Sequence, residues 1–171
     1  MSLIKSISGI RGTIGGKVDE NLTPIDAVKF AAAYGSWLKE QSGKAHVKVV
    51  IGRDARISGE MIQNLVQYTL IGLGIDVVNI GLSTTPTVEV AVPMEKADGG
   101  IILTASHNPK EWNALKLLNN KGEFVSDQDG KAILKIAQEN DFSFATVNHL
   151  GKLTDDNRYI DLHIEKVLAL P

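Results

Sequence analysis

The chain has 171 residues, of which 43% are hydrophobic and 22% are charged, and its 18 basic and 20 acidic residues give a formal net charge of -2. These values exclude a disordered or fibrous chain, and the length predicts one globular domain with a short appendage. The absence of cysteine excludes disulfides, thiol nucleophiles and Cys-ligated metals. The balanced charge argues against nucleic-acid and membrane-surface binding. Because no long apolar run and no signal peptide are found, we expect a cytoplasmic protein.

The first half of the chain alternates short apolar runs with helical patterns. Thr23, followed by proline and by an acid at the third position, is a helix start signal, and this helix is expected to reach about residue 41. Ser58 is expected to cap a second helix, which Gly74 ends. Apolar runs without alternation indicate strands buried on both faces, as in parallel sheets. The strands predicted in this half are 3–7, 47–51 and 75–80.

The second half continues the alternation and then turns polar. Thr84 or Thr85 is expected to open a short helix that ends near residue 94, and Ser126 opens another that ends near residue 140. The strands predicted here are 99–104 and 114–118, the latter at an edge of the sheet. A last amphipathic helix is predicted over 159–170, after a polar stretch at 146–158.

Strands that alternate with helices predict an α/β fold. We expect a three-layer α/β/α sandwich whose mixed sheet is mostly parallel, with one antiparallel edge strand. Ligands of such sheets bind at the carboxyl ends of the strands. Two polar, unusual loops fall at such ends, at 52–59 and 104–109, and a third lies near the N-terminus at 8–12.

Three of the four arginines of the chain lie in these loops. Arginine is suited to bidentate binding of phosphate or carboxylate, so Arg11, between two glycines, indicates an anion site. For Arg53 and Arg56 two interpretations stay open. They bind an anion, or Arg53 pairs with Asp54 to hold a turn while Arg56 caps a nearby group.

Ser106, His107 and Asn108 stand together in the loop after the strand predicted at 99–104. A serine hydroxyl at the carboxyl end of a strand can act as a nucleophile. The alternative is that Ser106 and Asn108 only bond their own turn. His107 is a poor candidate for the base of Ser106, because neighbours in sequence do not easily form a Ser–His pair.

The sequence TASHNP, from Thr104 to Pro109, resembles a loop of the α-D-phosphohexomutases. This family includes phosphoglucomutase, phosphomannomutase and phosphoglucosamine mutase. Further matches occur in the family order and cover most of residues 1–145. They are SGIRG at 8–12, GRDAR at 52–56 with Ser-Gly at 58–59, and TPT at 85–87. By this resemblance the chain is identified as the N-terminal, catalytic-serine domain of a phosphohexomutase.

The resemblance implies an isomerase of carbohydrate metabolism that interconverts hexose 1-phosphate and hexose 6-phosphate. Ser106 would be a phosphoserine that gives its phosphoryl group to the hexose phosphate and regains one from a bisphosphorylated sugar. Arg11 and Lys116 match the family positions that contact the phosphate and assist proton transfer, while His107 and Asn108 would shape the loop. The implied catalytic residues are Ser106, Arg11, Lys116 and His107, and the implied phosphate-binding residues are Arg11, Asn108, Lys116 and Arg53.

The cofactors implied by the resemblance are Mg²⁺ and hexose 1,6-bisphosphate, the latter as intermediate and activator. Ser106 would reach the metal through its phosphate, and the remaining ligands would lie beyond this chain. The expected partners are the hexose phosphate substrate and the missing domains of the same protein. No nucleic-acid or membrane partner is expected.

The family pattern also divides the chain into segments. Residues 1–145 are expected to form domain I, 146–158 a linker, and 159–171 the first helix of a truncated second domain. Because the metal-binding and sugar-binding loops of the family are absent, the fragment is expected to be inactive on its own. Its last helix is expected either to fold back onto domain I or to cause weak self-association.

One departure from the family pattern concerns the segment before Lys116. The family usually has Asn-Gly there, whereas this chain has Asn113 followed by Ala114. Alanine tolerates a positive φ poorly, so the turn that presents Lys116 is expected to differ.

Two other functions stay open at this stage. One is a non-catalytic phosphate-binding α/β module, which would bind an anion reversibly and leave Ser106 unmodified. The other is a serine hydrolase, which requires a histidine and an acid that converge on Ser106.

Overall fold

A computed structural model describes residues 1–6 and 9–171, and these residues form one mixed sheet covered by helices on both faces. Ser8 of the predicted loop at 8–12 and Ile7 of the predicted strand at 3–7 lie outside the described residues. The strands are β1 (Ile4–Ser6), β2 (Gly9–Thr13), β3 (Val47–Arg53), β4 (Ile75–Leu82), β5 (Gly99–Leu103), β6 (Trp112–Leu118) and β7 (Leu153–Asp155). The helices are α1 (Pro24–Ser42), α2 (Gly59–Gly72), α3 (Thr85–Met94), α4 (Asp127–Glu139) and α5 (Tyr159–Leu168).

The helices divide into two layers because the strands between them are buried on both faces. Val49 and Ile51 of β3 belong to the core shared with α1, α2 and α4, whereas Val50 between them belongs to the core shared with α3 and α5. The three-layer α/β/α sandwich is thereby confirmed. No helix in the described part of the chain combines the length and apolar character needed to cross a membrane.

The sheet changes from antiparallel to parallel pairing at its centre. Its strand order is β1-β2-β6-β5-β3-β4-β7. The pairs from β1 to β5 are antiparallel, and those from β5 to β7 are parallel. The mixed sheet is confirmed, but the expectation that it is mostly parallel with one antiparallel edge strand is wrong, because three of the six strand pairs in the described chain are antiparallel. β6 was expected at an edge and lies between β2 and β5. Its apolar sequence reflects this position, because Leu115 and Leu117 are buried on one face and Leu118 on the other.

The helix starts predicted from local signals are confirmed at three positions. Thr23 and Ser126 form capping boxes with the acids three residues later, and the Thr84 hydroxyl accepts from the Thr87 amide. Ser58 precedes α2 as expected but does not cap it with its side chain. Its hydroxyl oxygen instead accepts a hydrogen bond from the Asn113 side-chain amide at 2.9 Å, which ties the loop before α2 to β6.

The polar segment predicted as a linker contains β7, which extends the sheet beyond residue 145. Leu153 pairs with Val77, and two of the three strand residues are exposed. An exposed edge strand this short carries no apolar pattern, which is why the sequence resembles a linker. Before β7, a Cβ at Gly151 would lie 1.9 Å from the Ile75 carbonyl oxygen, so the segment packs directly on β4.

The last helix, α5, folds back onto α3, which was one of its two expected outcomes. Tyr159 is 3% exposed, and its hydroxyl donates to the Glu95 carboxylate at 2.7 Å. Burial, and then the Glu95 carboxylate, raise the pKa of this hydroxyl. Only the start of α5 is buried by this packing, because Val167 and Leu170 are 51% and 68% exposed. The assignment of α5 to a second domain and the self-association of the chain stay predictions.

The packing of Gly151 gives a test of the extended sheet. Gly151→Ala is expected to lower the free energy of unfolding by about 2 kcal/mol, because the added methyl group cannot avoid backbone atoms. Gly72→Ala is the matched control, since its Cβ meets only the half-exposed ring of Phe144. Urea unfolding of both variants would measure the difference. Equal stabilities would show that β7 is not packed as described.

Candidate functional site

A cavity of about 320 Å³ opens where β2 and β6 meet the loop after β5. It brings together five of the six predicted site residues, which come from three separate segments of the chain. These are Arg11, Ser106, His107, Asn108 and Lys116. Arg53, the sixth, does not line this cavity.

The register of the sheet places the two cations of the cavity side by side. Arg11 of β2 is opposite Ala114 of β6, and Lys116 is two residues further along the same strand. Residues that are opposite each other, or two apart on a strand, share a face of the sheet. Lys116 is also opposite Ile102 of β5, just before the Ser106 loop. The antiparallel pairing of β6 therefore carries both charges to the carboxyl end of β5.

Neither cation is neutralised by the protein. Among residues 1–6 and 9–171, no carboxylate forms an ion pair with Arg11 or Lys116. The Lys116 amine lies 6.0 Å from the centroid of the Phe124 ring, whose face attracts a cation without cancelling its charge. Two uncompensated positive charges beside a cavity favour an anion with several oxygen atoms.

Ser106 is exposed and adopts a left-handed backbone conformation with φ of 55°. This conformation costs a residue other than glycine about 1–2 kcal/mol, and such strain is concentrated at functional sites. The Ser106 amide donates to the Thr104 hydroxyl at 3.0 Å. The Ser106 hydroxyl forms no hydrogen bond within the described residues, so the interpretation that its side chain only bonds its own turn is wrong. No residue preference predicts this conformation, since serine is not among the residues that favour it.

The alanine before Lys116 does not disturb the site. Ala114 lies inside β6, where it pairs with Arg11, and has no positive φ. The expected turn is therefore absent, and Lys116 is presented by a continuous strand. The fully buried Asn113 supports this strand start through its hydrogen bond to Ser58.

The second loop uses its two arginines on protein groups. Arg53 donates to the Gln63 side chain at 2.7 Å and to the Asp54 carbonyl at 3.1 Å, so it turns toward α2. Arg56 donates to the Asp54 carboxylate at 3.1 Å and to backbone carbonyls of the Ser106 loop. The sequence left two interpretations open for these arginines, anion binding and a structural role. Their contacts are those expected of a structural role.

The histidines do not form a hydrolase site. His149 and His163 bond to Thr146 and Thr87, away from the cavity. His107 lines the cavity, but in the described chain it forms no hydrogen bond with Ser106. A converging histidine and acid, which a serine hydrolase requires, are therefore not present among the residues described.

The described residues also do not fit a Mg²⁺ ion by themselves. They contain no group of three acidic, histidine or cysteine side chains that could hold a metal. Asp54, the carboxylate joined to the Ser106 loop, already accepts from Arg56 and Thr104. Any metal at Ser106 would need ligands from elsewhere.

The strained backbone of Ser106 gives a stability test that is independent of chemistry. Ser106→Gly and Ser106→Ala both remove the hydroxyl, but only glycine is free of the steric cost of a positive φ. We expect the glycine variant to be more stable than the alanine variant by about 1 kcal/mol in urea unfolding. Equal stabilities would show that Ser106 is not held in the left-handed conformation.

Comparisons with known proteins agree with the fold. The family model described as phosphoglucomutase/phosphomannomutase, alpha/beta/alpha domain I, matches residues 3–144. The chain is 36% identical over 148 residues to the phosphoglucomutase/phosphomannomutase of Thermococcus kodakarensis, covering 85% of the chain and 32% of that protein. It is 38% identical over 160 residues to the phosphoglucosamine mutase of Nautilia profundicola, covering 90% of the chain and 35% of that protein.

A solved structure has the same architecture. It is the X-ray structure of a phosphoglucomutase/phosphomannomutase family protein from Burkholderia thailandensis, with a TM-score of 0.78 and 25% identity. The likeness covers 96% of this chain and 35% of that one, so the chain spans about a third of the length of the proteins it matches. The chain belongs to the phosphoglucomutase/phosphomannomutase family, of which it carries the alpha/beta/alpha domain I.

Proposed function

We propose that this chain is the domain of a phosphohexomutase that carries the catalytic serine, Ser106. The observation that supports it best concerns the described residues: the Ser106 hydroxyl has no hydrogen-bond partner among them and shares one cavity with two cations, Arg11 and Lys116, that have no acidic partner there. Relatives named phosphoglucosamine mutase and phosphoglucomutase/phosphomannomutase support a hexose phosphate as the substrate class.

The proposed reaction moves a phosphoryl group twice. In the first step the bond between phosphorus and the Ser106 oxygen breaks, and a bond forms between phosphorus and a free hydroxyl oxygen of the hexose phosphate. The hydroxyl gives its proton to a base of the whole enzyme, and hexose 1,6-bisphosphate results. After the sugar turns over, the Ser106 oxygen takes the other phosphoryl group and leaves the isomeric hexose phosphate. In this second step that proton returns to the sugar oxygen from which the phosphoryl group leaves. No atom is gained or lost over the cycle.

The two cations suit the charge of this cycle. A phosphoserine carries about -1.5 to -2 charges at neutral pH, and Arg11 and Lys116 supply two positive charges on the same face of the sheet. Phosphoryl transfer is accelerated mainly by positioning and by neutralisation of charge. In this proposal Arg11 binds the phosphate, Lys116 binds it and assists the proton transfer, and His107 and Asn108 shape the cavity wall.

Mg²⁺ remains part of the proposal as the cofactor of the whole enzyme. When bound, it would neutralise charge on the transferred phosphoryl group. This chain would contribute to it only the phosphate of Ser106, because its described residues hold no suitable carboxylate group. The remaining ligands would come from other domains of the same protein, which are also its proposed partners.

A second candidate is a non-catalytic phosphate-binding module. The absence of a metal-ligand group among the described residues favours it, since the two cations would bind a phosphate without any transfer. Intact mass spectrometry distinguishes the two functions. A mutase domain within its whole enzyme carries phosphate on Ser106, whereas a binding module leaves Ser106 unmodified.

The proposed role of Ser106 is tested in a full-length mutase that contains this chain. Ser106→Ala is expected to abolish the interconversion of hexose phosphates, because no other described residue that lines the cavity offers an unbonded hydroxyl. The free energy of unfolding is expected to change by no more than about 0.5 kcal/mol. Ser42→Ala, at the end of α1, is the control and should keep full turnover. Near-normal turnover in the Ser106 variant would contradict the proposal.

The 171-residue chain alone should show no turnover of hexose phosphates.

The proposed phosphate site is tested on the 171-residue chain. Inorganic phosphate, titrated while NMR spectra are recorded, should shift the amide signals around Ser106. Arg11→Gln is expected to weaken this binding about tenfold and to reduce its dependence on salt, because one charge-assisted hydrogen bond is lost. Arg158→Gln, which removes an exposed arginine paired with Asp156, is the matched control. If both variants bind as the parent does, the phosphate site lies elsewhere.

A further inference from the structure

Arg56 uses every N–H of its guanidinium group on protein acceptors. Its Nε donates to the Asp54 carboxylate at 3.1 Å. Its two terminal nitrogens donate to four carbonyl oxygens of the segment that runs from the reactive serine to β6. These belong to Ser106 at 2.7 Å, Asn108 at 2.8 Å, Pro109 at 2.7 Å and Trp112 at 3.0 Å. A guanidinium has five donors in one plane, so none remains for a ligand.

Both peptide groups that flank Ser106 are fixed by this arrangement. The Ser106 amide donates to the Thr104 hydroxyl at 3.0 Å, and that hydroxyl donates to the Asp54 carboxylate at 2.6 Å. The Ser106 carbonyl accepts from Arg56, which is bonded to the same carboxylate. The orientation of these two peptide groups sets φ and ψ of the residue between them. The closed ring of contacts therefore specifies the left-handed conformation of Ser106.

The positive charge of Arg56 offsets the repulsion between the carbonyl oxygens that surround it. Four carbonyl oxygens that point to one place repel one another unless a cation lies between them. Asp54 balances the guanidinium, and the two side chains are only 11% and 29% exposed. A lysine at position 56 would keep the charge but offers three donors on one nitrogen, so it cannot serve five acceptors in a plane.

We infer that Arg56 is a positioning residue, which with Asp54 and Thr104 holds Ser106 in the strained conformation that presents its hydroxyl to the cavity. Arg56 does not line the cavity, and its five donors are all used on protein acceptors. The chemistry that Ser106 performs rests on the proposed function, whereas its backbone conformation does not.

The conformational part of this inference is tested by NMR on the 171-residue chain. In Arg56→Lys, the Cα and Cβ chemical shifts of Ser106 should leave their left-handed values. Hydrogen exchange of the Ser106 and Asn108 amides should become at least about tenfold faster, because the bonds that order the loop are lost. Hydrogen exchange of the β5 amides should stay as in the parent. Arg158→Lys, which changes an exposed arginine far from the loop, is the matched control.

A second variant covers the case in which Arg56→Lys does not fold. Thr104→Val keeps the shape of the side chain but removes the hydroxyl that bonds to the Ser106 amide and to the Asp54 carboxylate. It should change the same Ser106 chemical shifts. Chemical rescue gives a further readout. In Arg56→Ala, about 20 mM guanidinium ion should restore part of the Ser106 shifts, whereas ammonium ion should not, since only guanidinium has the planar set of donors.

The catalytic consequence is tested in a full-length mutase that contains this chain. Arg56→Lys should lower kcat at least about 100-fold, the scale expected when a reacting group is misplaced by about 1 Å. The KM for hexose phosphate should stay within about threefold, because Arg56 makes no substrate contact. Parent-like shifts and exchange at Ser106 in Arg56→Lys would overturn the inference. An altered loop with unchanged kcat would overturn its catalytic part. A parent enzyme without turnover would instead overturn the proposed function, and the NMR result would still decide the role of Arg56.

Discussion

The antiparallel pairing of β6 with β5 is the constraint on which the site depends. In a purely parallel sheet, the chain after β5 would leave the sheet edge through a helix, and the neighbouring strand would come from a distant crossover. Here the chain returns at once along β5 and then pairs with β2. Lys116 and Arg11 are thereby brought beside the loop that follows β5. The carboxyl end of a strand, the usual position of a ligand in α/β proteins, gains its cations from strands that run alongside it.

The two cations of the cavity also differ from several other cations at the surface, which have acidic partners. Lys48 bonds to Glu95, and Lys29 bonds to Asp19. The Lys29 ammonium group, with a smaller contribution from Lys5, lowers the pKa of Asp19, which is the effect expected of neighbouring positive charges. Arg11 and Lys116 lie on one face of the sheet without such partners in the described chain. Two like charges close together repel each other, so the arrangement is most favourable when an anion is bound between them.

The extent to which the sequence predicts this structure depends on the range of the interactions involved. The starts of α1 and α4 were predicted correctly because a capping box joins residues three apart. The central position of β6 and the addition of β7 were not, because each depends on a partner strand far away in the chain. Hydrophobic patterns report burial but not which strand covers a face, and a short exposed strand such as β7 leaves no pattern at all.

At the site, too, the sequence predicts residue identity better than the contacts between distant parts of the chain. The family resemblance located Arg11, Ser106 and Lys116, and the fold brings them to one cavity. Residue type and loop position alone left the role of Arg56 open, because Arg11 and Arg56 both lie in polar loops and both suit an oxygen acceptor. What separates them is the number of protein acceptors within reach, which is none for Arg11 among the described residues and five for Arg56. An arginine whose donors are all used by the backbone shapes a loop, and one whose donors are free can bind a ligand. The division of work that we propose at this sheet edge follows from that count: Arg56 fixes the backbone of Ser106, and Arg11 is left to meet the phosphate.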